Sequence, residues 1–71
     1  MEILDDAHKR GYSDEDIYHA VEYRIATHDL DGYLMIIGPT HSRELLEIGV
    51  NRRDEAFHAM PARPRFLRHK R

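Results

Sequence analysis

Asp31-Gly-Tyr-Leu-Met-Ile-Ile-Gly38 decides the architecture of this 71-residue chain. Asp-Gly is a favoured pair for a two-residue type I′ hairpin loop, in which both central residues take positive φ. The run from Tyr33 to Gly38 is apolar throughout, which suits a central strand buried on both faces. Working backwards, residues 25–30 form the first strand of the hairpin. Working forwards, Pro39-Thr-His-Ser42 is a turn and residues 43–51 alternate. That alternation puts Leu46, Ile48 and Val50 on one face and Leu45, Glu47 and Gly49 on the other. Arg52-Arg-Asp-Glu55 makes the next turn. Residues 56–60 form a fourth strand, with His58 on the face of Ala56 and Met60.

Upstream of the hairpin the period is helical. Ile3, Leu4, Ala7 and Arg10 share one face of a first helix that Gly11 stops. Ser13-Asp-Glu-Asp16 reads as a capping box, with Tyr12 and Ile17 placed as a hydrophobic staple around it. The acidic residues after Ser13 also favour a helix N-terminus through the helix dipole. A second helix over residues 14–24 therefore buries Ile17, Ala20, Val21 and Ile25. Tyr18, Glu22, Glu15 and His19 fall on its other side. The expected fold is α+β: two N-terminal helices packed on a three- or four-stranded antiparallel β-meander, with a short basic C-terminal tail. Phe66 and Leu67 are expected to anchor that tail to the sheet as a short helical turn. All of residues 1–71 belong to one domain.

Composition narrows the function classes. A chain this short buries only about 60% of its unfolded surface, so its core is small. There is no cysteine, which rules out disulfides and thiolate metal sites and points to a reducing cytoplasm. No apolar run approaches the roughly 20 residues of a membrane span, and the acidic N-terminus lacks a signal-like apolar stretch. A small core without covalent staples favours assembly, as a homo-oligomer or a hetero-oligomer. Charge is unevenly spread. Residues 1–51 carry four Lys/Arg against eleven Asp/Glu, whereas residues 52–71 carry seven against two. A basic C-terminal third suits an anionic partner, and it also reads as a solvated tail.

The candidate site is His58-Ala-Met-Pro-Ala-Arg-Pro-Arg65. Proline fixes its own φ and biases the preceding residue to extended backbone, so Met60 and Arg63 are expected to be extended. The result is a stiff rim bearing one imidazole and two guanidiniums, groups suited to a phosphodiester.

Across nearly its whole length the chain resembles the BrnT-like toxins of bacterial toxin–antitoxin pairs, in particular their short actinobacterial relatives. The resemblance rests on Lys9-Arg-Gly-Tyr-Ser13-Asp-Glu-Asp, on Ile37-Gly38, on Arg43-Glu-Leu-Leu-Glu-Ile-Gly-Val50 and on His58-Ala-Met-Pro-Ala-Arg63. It implies a RelE-like ribonuclease fold, RNA as substrate, cleavage without a metal or other cofactor, and a small DNA-binding antitoxin as partner. By position, Lys9 and Arg10 match the family's basic pair, Arg43 its third-strand arginine and Arg63 the arginine after its fourth strand. Arg10 stands where that family more often has histidine.

Metal-independent cleavage by 2′-OH attack needs a base, cations around phosphorus and an acid for the leaving oxygen. The candidate catalytic residues are His58, Arg63, Arg43 and Lys9. Arg10, Arg65, Arg68 and Tyr33 are candidates for RNA binding, Tyr33 by stacking on a base. Each also has a structural reading. His58 suits a hydrogen-bonded histidine at a sheet edge, Arg43 an ion pair with Glu44 or Glu47, and Arg52 and Arg53 a solvated turn. Glu15, His19 and Glu22 lie at metal-ligand spacing on one helix face, but a surface ion-pair ladder has the same spacing. Two alternatives to an endoribonuclease toxin stay open: a non-catalytic module that binds nucleic acid or an acidic segment, and a degenerate toxin serving as a scaffold.

Overall fold

The hairpin turn forms at Asp31-Gly32, whose φ values are +48° and +114°. The Leu30 N–H donates to the Tyr33 carbonyl at 2.9 Å, closing a two-residue loop. In this computed structural model, which describes residues 1–67, that turn joins β2 (Ala26–Asp29) to β3 (Tyr33–Pro39). Next come β4 (Leu45–Asn51) and β5 (Glu55–Pro61), each antiparallel to its predecessor. The β4–β5 turn is held by the Asn51 side chain, whose oxygen accepts from the Arg53 and Glu55 N–H groups at 2.9 and 3.1 Å.

The N-terminus corrects the expected fold. The described residues form one α-helix and a five-stranded mixed sheet, not two helices on a three- or four-stranded antiparallel meander. The segment read as a first helix is a two-residue strand, β1 (Glu2–Ile3), followed by a 3-10 turn at Asp5–His8. β1 runs parallel to β5, with Ile3 beside Ala56, and the sheet order is β1-β5-β4-β3-β2. The physical reason is length. Few residues precede Gly11, and no side chain caps the turn, so helix nucleation is not repaid. The edge of β5 instead offers paired bonds: Glu2 N–H to Asp54 O at 3.1 Å and Leu4 N–H to Ala56 O at 2.8 Å.

The remaining helix, α1 (Asp14–Glu22), begins at its cap, where Ser13 Oγ accepts from the Asp16 N–H at 3.1 Å. It ends two residues short of the expected Arg24, with Tyr23 as its C-cap. Ile17 and Ala20 face the sheet and form a core with Ala7, Ile36, Leu46, Ile48, Val50, Ala56 and Ala59. No described helix is long and apolar enough to cross a membrane.

The opposite sheet face is buried at its centre by a second cluster of Met35, Ile37 and Phe66. Phe66 reaches it because Pro64 starts a 3-10 turn at Pro64–Phe66, directly after an extended Arg63. A register shift between Gly49 and Val50 makes Phe57 a bulge in β5, with Gly49 opposite His58 and Val50 opposite Ala56. Phe57 and His58 therefore share the helix-free face, while Ala56 and Ala59 face α1. The expected grouping of His58 with Ala56 is overturned by that extra residue.

Helix and sheet meet closely at Gly38. A Cβ there would lie 1.8 Å from the Ala20 carbonyl oxygen, a backbone atom that cannot swing away. Gly38→Ala is expected to cost about 1–3 kcal/mol or more by overpacking, read by urea denaturation. Wild-type stability in that variant would show that α1 does not approach β3 as described.

Candidate functional site

Glu47 lies on β4 opposite Ile37 and Met60, on the helix-free face, and its side chain is 0% exposed. A carboxylate buried among apolar neighbours must be paired and hydrogen-bonded to remain charged. Both needs are met by the segment singled out above. His58 Nε2 lies 2.9 Å from Glu47 Oε2. The Arg63 backbone N–H donates to Oε1 at 2.9 Å, and its NH2 donates to Oε2 at 2.7 Å. The Arg63 Nε sits 3.1 Å from each carboxylate oxygen. Burial alone would push the Glu47 carboxyl up. The bonds from the Arg63 side chain and backbone and from His58 outweigh it and hold the carboxyl below the usual carboxylate range. Reciprocally, the Glu47 bond holds the Arg63 guanidinium more firmly protonated, and Tyr33 adds to the same effect.

The local fold explains the convergence. His58 reaches Glu47 because the Phe57 bulge turns it onto this face. Arg63 reaches it because Pro61 ends β5 and the extended backbone before Pro64 returns across β4 (Ala62 N–H to Leu45 O, 2.9 Å). The hydrogen bond to Glu47 assigns the imidazole proton to Nε2. In the neutral form of that ring Nδ1 is the acceptor nitrogen, and it has no hydrogen-bond partner among the described residues. The His58 and Arg63 side chains remain 29% and 44% exposed, whereas the carboxylate they share is fully buried. Arg65 extends the cationic edge, its guanidinium carbon 4.7 Å from the Phe66 ring centre, with that of Arg63 5.5 Å from the same ring.

Of the residues expected in a site, the structure thus gathers His58, Arg63, Arg65 and Tyr33 on one face. Arg43 is not with them. It lies before β4 in a left-handed turn (φ +73°), exposed, and makes no salt bridge among the described residues. Its expected partners are taken: Glu47 by His58 and Arg63, and Glu44 by the Tyr12 hydroxyl at 2.7 Å. Lys9 and Arg10 follow the 3-10 turn whose Ala7 packs in the helix-side core, and Lys9 pairs with Asp6 at 3.6 Å. They belong to the other side of the sheet. Arg68 lies outside the described residues.

The residue that sequence reasoning missed is Glu47 itself. Its signal was present: a strand apolar on both faces requires a covered second face, and a carboxylate on that face requires a cation. A second cluster, between α1 and the β3–β4 turn, comprises His19 and His41 with ring centres 4.1 Å apart. Asp16 lies 3.3 Å from His41 Nδ1, and the Pro39 carbonyl 2.7 Å from His19 Nδ1. Among the described residues, no group of three or more His, Asp or Glu side chains is arranged to hold a metal ion.

The depressed Glu47 carboxyl contributes stability that is complete above the ordinary carboxylate range and is lost as pH falls through its lowered folded-state value. Glu47→Gln is expected to cost about 1–3 kcal/mol at neutral pH and to flatten the acid limb of stability against pH. Parallel acid limbs for the two proteins would show that Glu47 is not charged and paired in the fold. Comparison of this chain with protein families, with curated proteins and with solved structures finds no match.

Proposed function

We propose that the chain is the toxin of a bacterial toxin–antitoxin pair, an endoribonuclease of the BrnT-like kind that cleaves RNA by 2′-OH attack without a metal. The observation that carries the proposal is the pairing of His58 and Arg63 on one buried carboxylate, with both side chains partly exposed. Lys9 and Arg43 take no part in this reading.

His58 Nδ1 accepts the proton of the ribose 2′-hydroxyl, and Glu47, bonded to Nε2, orients the ring and stabilises the imidazolium that forms. The 2′-oxygen then attacks phosphorus. The bond to the 5′-oxygen breaks, leaving a 2′,3′-cyclic phosphate, and solvent supplies the proton for the departing oxygen. Arg63 and Arg65 offset the charge gathering on the phosphoryl oxygens. The cognate antitoxin restrains this activity in the bacterial cytoplasm.

One observation favours a second reading, binding without turnover. Glu47 already occupies the Nε and NH2 of Arg63, so part of the cation available to phosphate is neutralised internally. The two readings separate in one assay. Purified protein incubated with RNA in chelator is expected to yield 2′,3′-cyclic phosphate ends, and His58→Ala to slow the reaction by about 10²–10⁴-fold. Intact RNA from folded wild-type protein would overturn the catalytic reading. Salt-sensitive binding in that same sample would support the second.

A further inference from the structure

We infer that this site takes single-stranded nucleic acid, and that the base flanking the phosphodiester at His58 stacks on Phe57. The inference rests on the nucleic-acid reading above and adds a residue and a strand state to it.

Phe57 packs over Gly49 and against Tyr33 but anchors neither core. It is only partly buried and belongs to neither hydrophobic cluster, although a phenylalanine usually anchors a core this small. Its position is nevertheless built. The β5 bulge places Phe57 and His58 in succession on the helix-free face, where regular alternation would send them to opposite faces. Gly49 makes room for both, since a Cβ there would lie 2.8 Å from Phe57 Cζ and 3.1 Å from His58 Cβ. Tyr33 braces the ring edge-on, with centres 5.5 Å apart and planes at 73°. The Phe57 and His58 ring centres are 6.4 Å apart.

An aromatic ring next to an imidazole and two guanidiniums matches the layout of one nucleotide, with an apolar π-face at one end and a phosphodiester at the other. In a duplex the base faces are covered by their neighbours, and the deep groove of A-form RNA keeps side chains from reaching them. A partly exposed ring on this sheet face is therefore available only to an unstacked base. Stacking of this kind tolerates any base, so the site reads strand state and backbone in preference to sequence.

The test uses the full chain and a short 2′-deoxy oligonucleotide carrying one 2-aminopurine, which binds but cannot be cleaved by 2′-OH attack. Wild type is expected to quench the 2-aminopurine in the single strand and to bind the matching duplex at least tenfold more weakly. Phe57→Leu, checked for folding by its melting temperature, should bind the single strand about tenfold more weakly, and Phe57→Trp should keep the affinity. Equal binding by wild type and Phe57→Leu, or equal binding of single strand and duplex, overturns this inference and leaves ribonuclease activity to its own assay. Quenching by Phe57 without RNA cleavage supports stacking and removes only the catalytic reading. Failure of wild type to bind either strand overturns this inference and the nucleic-acid reading together.

Discussion

The structure depends on the need to satisfy one desolvated carboxylate. Glu47 sits in the middle strand region with no exposure, and each of its partners comes from β5 or the segment just after it. A buried charge without partners costs several kcal/mol, so those partners cannot drift without unfolding the face around them. This ties together features that look unrelated in the chain. The bulge at Phe57 is needed to turn His58 inward. Pro61 and Pro64 are needed to bring Arg63 back across β4, and Phe66 then closes the apolar floor beside it.

How much of this was legible in the sequence depends on the range of the interaction. The Asp31-Gly32 turn and the Ser13 cap are local: a few residues contain both the donor and its acceptor, and both formed where expected. The N-terminal helix was misread because Ile3, Leu4 and Ala7 have a spacing shared by a helix and by a short strand leading into a 3-10 turn. What decides between them is β5, more than fifty residues away in the chain, and nothing near Ile3 announces that pairing. The Phe57 bulge was hidden for a related reason. Inserting one residue into an alternating pattern leaves hydropathy nearly unchanged, yet it reverses the face of every residue beyond it. Residue type and proline spacing point to His58 and Arg63 together, but they give their common anchor, Glu47, only as an ion-pair partner for Arg43.

The same anchor shapes what the site can do. Glu47 bonds the imidazole and also cancels part of the nearby positive charge, so the proposed polyanion binding falls to the rest of Arg63, to Arg65 and to contacts other than charge. In the proposed reading, that balance is where the aromatic pair beside His58 gains its significance: a site short of net cation would bind a base as well as a phosphate. The acidic first two-thirds of the chain sharpens the contrast, since it leaves this basic end as the part suited to an anionic ligand.

The most direct test of the central claim is the tautomer of His58, read from imidazole ¹⁵N chemical shifts above the pH at which the ring loses its charge. The account requires the proton on Nε2, bonded to Glu47, and a bare Nδ1 whose signal moves when an uncleavable oligonucleotide is added. A proton on Nδ1, or an Nδ1 signal indifferent to saturating oligonucleotide, would contradict it.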